Sequence, residues 1–243
     1  MTHRVSRREA LGLLGAGVAL VGTGVPLSEL AAQAARDAET APRYFFLLDR
    51  EAAFLRAACD RIIPADAWPS ASQAGVVDYI DLQLATGWGQ GAGLYLEPPF
   101  DDGEDSQGYQ LGLTPAQLYR DAIAAIDQRV GGSGFAGLSP SDMDGVLSEL
   151  EEGNTELGPI PGSVFFDILK QNTVEGYFAD PLYNGNRGLA GWRMIGFPGA
   201  HAYYVTEVGR HGMDYDRPPQ GMAWASGRPV RPFTGRYQQM QGG

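Results

Sequence analysis

The sequence predicts a mainly α-helical protein, a single irregular helical domain with long loops and an extended C-terminal tail. Three observations carry this. Apolar side chains recur at spacings of three and four in five segments, two of those segments open on a hydroxyl followed by proline, and no stretch alternates as a half-buried strand would.

The first segment runs from Asp49, placed to cap it, to Ile63, where Pro64 stops it. Leu55, Cys59 and Ile62 share its apolar face. Asp66 to Gly75 reads as a loop, followed by a second helix over about 76–86 with Val77, Ile80 and Leu84 on one face. Thr114, Pro115 and Gln117 then form a helix start with a capping hydroxyl, proline at the first helical position and a Gln that closes a capping box. Leu118, Ala122 and Ile126 supply the buried face. Ser139 and Pro140 repeat the device and launch a helix through Met143, Val146, Leu147 and Leu150. A fifth helix begins at Ser163 and carries Phe165, Phe166 and Leu169 toward Thr173.

Between these helices, residues 87–112 are rich in Gly, Pro and aromatics and form a long loop, a candidate contact surface. Its acids, Asp101, Asp102, Glu104 and Asp105, bring oxygens close together but lack the spacing and terminal Glu of a calcium loop. They read as a solvated face. Residues 176–199, GYFADPLYNGNRGLAGWRMIGFPG, are again irregular, and a short helix follows over about 200–208. From about residue 213 the chain is Pro-, Gly- and Arg-rich, so it is either disordered or laid along a partner.

The N-terminus decides the compartment. Ser6, Arg7 and Arg8, followed by Leu11 and an uncharged run to Val25, read as a twin-arginine (Tat) signal peptide over residues 1–34. Ala32 and Ala34 offer an A-x-A-like cleavage site, so the mature domain spans 35–243 and belongs in the periplasm. The alternative is an amphipathic or anchoring N-terminal helix, but the run is short and Gly-rich for a span. The Tat translocon is thereby the first implied partner. It carries folded proteins, which suits a chain that acquires a cofactor or partner before export.

The net charge of -11 disfavours nucleic-acid partners, because no basic face is available to neutralise phosphates. Cys59 is the only cysteine. It is either a buried apolar residue, which its helical stripe favours, or a thiol bonded to another chain. A single cysteine leaves no C-x-x-C-H haem site and no thiolate set for an iron–sulfur cluster. His201 and His211 lie ten residues apart, not on one helical face, and no G-x-S-x-G elbow is present. Asp142 with Asp144, or Glu151 with Glu152, could be paired as glycosidase acids only on paper, and they read as solvated helix faces. Neither a catalytic, a cofactor-binding nor a metal-ligating set is expected in this chain.

Two segments carry a resemblance. AACDRIIPAD with the following AGVVDYID, and TVEGYFADPLYNGNRGLAGWRMIGFPG over 173–199, resemble the gluconate 2-dehydrogenase subunit 3 family, the small or gamma subunits of bacterial flavin-dependent sugar and polyol dehydrogenases. Asn184 departs from the family, where glycine is more usual, but Asn tolerates a left-handed turn. The resemblance implies a non-catalytic partner of an FAD-dependent flavoprotein of the glucose-methanol-choline (GMC) type, which oxidises the sugar. FAD, with or without an iron–sulfur cluster, then resides in the large subunit, and haem c in a multihaem cytochrome that passes electrons to the membrane. The small subunit supplies the signal and assists maturation of the large one, which is exported with it.

Within the 176–199 stretch, Tyr177, Phe178, Tyr183, Asn186, Arg187, Trp192, Arg193 and Phe197 are candidates for the partner interface, because aromatics and Arg dominate interface energetics. Internal packing of the same glycines, prolines and aromatics is the competing explanation. A mixture is expected, with Trp192 inward and Arg187 and Arg193 outward. The functional alternative to an accessory subunit is a stand-alone periplasmic module that binds a sugar or a cation.

Overall fold

The structure, a computed structural model, describes residues 44–100, 103–104, 110–199, 207–214 and 218–222. Arg7, Arg8, Leu11, Asp101, Asp102, Asp105, His201 and the segment 223–243 lie outside the described residues, as does most of the helix expected over 200–208. The protein is mainly α-helical. Among the described residues there are six α-helices: α1 (Asp49–Ile62), α2 (Val76–Ala85), α3 (Pro115–Val130), α4 (Pro140–Glu151), α5 (Gly162–Phe178) and α6 (Ala190–Met194). None is long and apolar enough to cross a membrane.

The predicted starts are present at α3 and α4. Thr114 accepts from the Gln117 backbone N–H at 3.2 Å while the Gln117 side chain accepts from the Thr114 N–H at 2.9 Å, with Pro115 at the first turn. Ser139 accepts from the Asp142 N–H in the same way at α4. At α1 the expected cap is corrected. Leu48 occupies the cap position and Asp49 lies in the first turn, where its charge favours the helix dipole. Glu51 provides the bond instead, accepting from the Leu48 N–H at 2.9 Å.

α5 is the central helix, packed by α4, α2, α1 and α3. Its Phe165 meets Phe54 of α1 and Tyr119 of α3, with ring centroids 6.2 and 5.6 Å apart, and Phe54 also lies 4.7 Å from Phe135. Leu55, Ile80, Leu84, Leu118, Ile126, Leu150 and Leu169 complete the interior. Each buried side chain of this size contributes about 1.5–3 kcal/mol. A two-stranded antiparallel hairpin, β1 (Glu156–Leu157) and β2 (Ile160–Pro161), connects α4 to α5 and drops Leu157 and Ile160 into the core. Two-residue strands show no alternation, which is why sequence patterning missed them.

Two charged clasps secure the chain entering α1. Asp81, buried on α2, accepts from three successive backbone N–H groups, Phe45 at 2.7 Å and Phe46 and Leu47 at 2.9 Å. Arg120 of α3 pairs with buried Glu51 at 3.5 Å, donates to the Phe46 carbonyl at 3.0 Å and lies over the Phe46 ring. The entering segment is therefore fixed by α2 and α3 together, its N–H groups from Phe45 to Leu48 and the Phe46 carbonyl bonded without belonging to any helix.

The tail is corrected in part. Residues 218–222 lie along this chain's own 180–199 segment as a strap, with the Gln220 N–H donating to the Pro198 carbonyl at 3.3 Å and the Met222 N–H to Asp180 Oδ2 at 2.6 Å.

Candidate functional site

The stretch from Gly176 to Gly199 is not wholly irregular. α5 continues through Phe178, five residues beyond the expected Thr173 end, so Gly176, Tyr177 and Phe178 are helical. Glycine weakens helices, so the composition of 176–199 gives no sign of this extension. Gly176 is there because α2 approaches closely: a Cβ on it would come 2.8 Å from the Tyr79 ring.

After the helix, Asp180 accepts from the Leu182 N–H at 2.9 Å and opens a 3-10 turn over Pro181–Tyr183. Asn184 follows with φ 70, the left-handed conformation that Asn tolerates in place of glycine. Gly185 then lies directly against the Gly176 carbonyl, leaving no room for a Cβ. The Asn186 backbone N–H donates to that carbonyl at 2.9 Å, and its fully buried side chain donates to Ala179 O at 2.9 Å and accepts from the Gly191 N–H at 2.8 Å. One asparagine thus joins the end of α5 to the start of α6. A second 3-10 turn, Arg187–Leu189, includes Leu189 at φ 59, a conformation costly for a branched residue.

The candidate interface residues divide into an inner and an outer set. Tyr177 is in the core and donates to the Pro69 carbonyl at 2.8 Å, and Asn186 is buried, so neither presents an interface to a partner. Trp192 is inward as expected, donating from Nε1 to the Phe178 carbonyl at 2.7 Å with Phe197 edge-on at 5.0 Å. Phe178 is half-buried against Tyr177. Arg187 faces solvent but is held within the chain, its N–H on the Ala74 carbonyl at 2.8 Å and its guanidinium on Asp78 at 2.6 Å. Burial raises the Asp78 carboxyl above its ordinary range, and Arg187 opposes the rise. Tyr183, Arg193 and Phe197 are exposed, accompanied by Leu182, Met194 and Ile195. This is an apolar surface with one basic side chain.

Cys59 is fully buried on α1, its Sγ 3.3 Å from the Thr173 hydroxyl, which lies 2.7 Å from the Leu169 carbonyl. A bond from Cys59 to another chain would require opening the core. Burial pushes the thiol up to about 12, with Thr173 opposing. The unfolded thiol ionises from about pH 9 and the folded one only near 12, so stability present below that range declines as pH rises through it. Tyr119 and Tyr79, both raised chiefly by burial, act in the same direction at still higher pH. Thiol reagents at about pH 8 are expected to label Cys59 only after denaturation, and Cys59→Ala is expected to flatten the alkaline fall in a denaturation series. Rapid labelling of the native protein would contradict the buried assignment.

Further groups that patterning missed lie beside this region. The Tyr119 hydroxyl donates to Asn172 at 2.7 Å, Asn172 donates to Glu175 at 3.1 Å, and Tyr79 donates to the same carboxylate at 3.2 Å. The chain of bonds holds α2, α3 and α5 in register. Asp81 and Glu51 had a legible signal: each sits four residues before or after an apolar stripe member, Glu51 before Leu55 and Asp81 after Val77, which places a carboxylate on a buried face.

The acids weighed as catalytic pairs are each partnered separately. Asp144 pairs bidentately with Arg61 at 2.6 and 2.7 Å, which lowers its carboxyl below the usual range. Asp142 bonds Ser139, Glu151 bonds Lys170, and Glu152 bonds Asn154. The Arg61–Asp144 and Lys170–Glu151 pairs border a shallow depression floored by Leu147 and Phe166, with charges balanced within it. His211 is exposed. Among the described residues, no three His, Cys, Asp or Glu side chains converge to hold a metal.

A helical body stapled by buried polar bonds, with exposed apolar side chains and Arg193 on its motif, defines a small, mainly α-helical protein. The chain belongs to the gluconate 2-dehydrogenase subunit 3 family, whose profile matches residues 49–199, from the start of α1 to the bridge between Gly199 and Gln220. The family is that of an accessory subunit of a dehydrogenase complex. No curated protein and no solved structure is significantly similar to the chain.

Proposed function

We propose that the protein is the non-catalytic small subunit of a periplasmic, FAD-dependent sugar or polyol dehydrogenase, and that it exports and matures the catalytic subunit. The family membership over residues 49–199 is the observation that carries this reading. The partner is a GMC-type flavoprotein holding FAD, with or without an iron–sulfur cluster, and a haem c cytochrome accepts its electrons. Tyr183, Arg193 and Phe197 supply the docking face. Exposed aromatics and arginine bury much area for few rotatable bonds, which favours them at such a surface. Tyr177, Asn186 and Trp192 act behind it by fixing its shape.

Arg7, Arg8 and Leu11 address the complex to the Tat translocon, and because that route carries folded cargo a signal on one subunit serves both. The test is co-expression of this chain with its flavoprotein partner. Replacing both Arg7 and Arg8 by Lys is expected to leave the flavoprotein in the cytoplasm with its flavin bound. Unchanged periplasmic dehydrogenase activity would overturn the export role.

A further inference from the structure

Several large apolar side chains surround the C-terminal strap and face solvent: Leu182 and Tyr183 on the first 3-10 turn, Ile195 and Phe197 after α6, and Met222 on the strap itself. The strap bridges those two segments, bonded to Pro198 on one and to Asp180 on the other. Met222 and Leu182 donate their backbone N–H groups to the two oxygens of the same Asp180 carboxylate, so the strap ends beside the apolar turn. Exposed apolar side chains on segments that one strap holds together mark a contact.

We propose that the occupant of this surface in the free subunit is the chain's own C-terminal segment, residues 223–243 led by Trp224, and that a docking partner displaces it. The displacement rests on the accessory-subunit reading above; the occupancy does not. Reach is the first argument. Trp224 lies two residues beyond the anchored Met222, and an extended chain advances about 3.3 Å per residue, so its Cα stays within about 7 Å of Met222. The strap therefore holds the indole at high effective concentration beside Leu182.

Charge is the second argument. Residues 223–243 carry Arg228, Arg231 and Arg236 with no acidic side chain, whereas the whole chain has a net charge of -11. The acidic body as a whole thus attracts the segment, an attraction that weakens with salt, while Arg193 on this face opposes it, so the apolar contact of Trp224 sets the position. Continuity is the third. The Gly199–Gln220 bridge and the Asp180–Met222 bond already join C-terminal chain to this face, and residues 223–243 follow directly in sequence. A Pro-, Gly- and Arg-rich segment forms no core of its own, so it can yield to a larger interface. The arrangement shields the docking surface until the partner arrives.

Disulfide trapping in the full chain tests this. A Leu182→Cys, Ser226→Cys protein is oxidised with Trp224 intact and with Trp224→Ser, and Ser148→Cys, Ser226→Cys serves as the distant pair; buried Cys59 does not compete. Occupancy predicts severalfold faster closure of the 182–226 pair when Trp224 is present, an advantage that persists at high salt, where screening of the arginines slows closure in both proteins. Equal rates with and without Trp224 would overturn it. Adding the purified flavoprotein is expected to suppress trapping as complex forms. A complex that leaves trapping unchanged would overturn displacement, whereas failure to form any complex would overturn the accessory-subunit reading and leave the tail contact standing.

Discussion

Replacing Gly185 by Ala is expected to destabilise the protein by about 3 kcal/mol, the upper part of what overpacking costs in a close-packed interior. The new Cβ would fall inside the contact distance of the Gly176 carbonyl, a backbone atom that cannot swing aside as a flexible side chain would. Relief requires α5 and the turn after it to separate. That separation breaks the bond from the Asn186 N–H to the same carbonyl and misaligns the Asn186 side chain between Ala179 and Gly191. Chemical denaturation with an unchanged m-value checks the magnitude. Hydrogen exchange adds the location: protection should fall first at Asn186 and Gly191. A stability within experimental error of the parent would show that this segment does not pack as described.

Asp81→Ala carries a comparable penalty, about 3–5 kcal/mol, by a different mechanism. The carboxylate satisfies three backbone donors at once, and each buried donor left without a partner costs about 1–3 kcal/mol, less where water reaches it. Phe45 and Phe46 are only partly enclosed, so water offsets part of the loss there. Asp81→Asn separates the contributions. Its remaining oxygen can still serve Phe46 and Leu47, while its amide meets the Phe45 N–H as donor against donor. A loss about half that of the alanine variant is expected, together with faster proteolysis between residues 44 and 48 in both. Equal stability of the aspartate and alanine proteins would contradict the clasp.

These two sites also show what the sequence makes legible. The helix starts at Thr114–Pro115 and Ser139–Pro140 are local events, decided by residues three apart, and they stand in the structure where the pattern places them. The buried faces of α1, α2 and α3 follow from period alone. Asp81 and Gly176 are different because their roles depend on segments distant in sequence, the chain before α1 and the ring of Tyr79. The sequence pattern therefore ends α5 near Thr173, and its extension to Phe178 is legible only in the structure. The 176–199 motif was legible as a family signature before its physical meaning was. Its glycines and Asn186 serve close packing, and only part of its aromatic content reaches the surface. Residue type named the candidates, but burial divided them, and burial is a property of the assembled helices. The strap over 218–222 was unreadable for the same reason, since its bonds run to Asp180 and Pro198.

The central claim is that the outer set of this motif binds the catalytic subunit while the inner set holds it in shape. Its most direct measurement is co-purification of the flavin-containing large subunit with the tagged chain carrying Arg193→Glu and Phe197→Ser, alongside thermal denaturation of the isolated chain. Arg193 is exposed and its replacement should change the fold little, while Phe197→Ser gives up the edge-on contact with Trp192, a loss of about 1 kcal/mol that lowers the melting temperature only slightly. The expected result is a melting curve close to the parent's and a severe loss of bound flavin. Full recovery of the flavoprotein with the doubly substituted chain would contradict the claim.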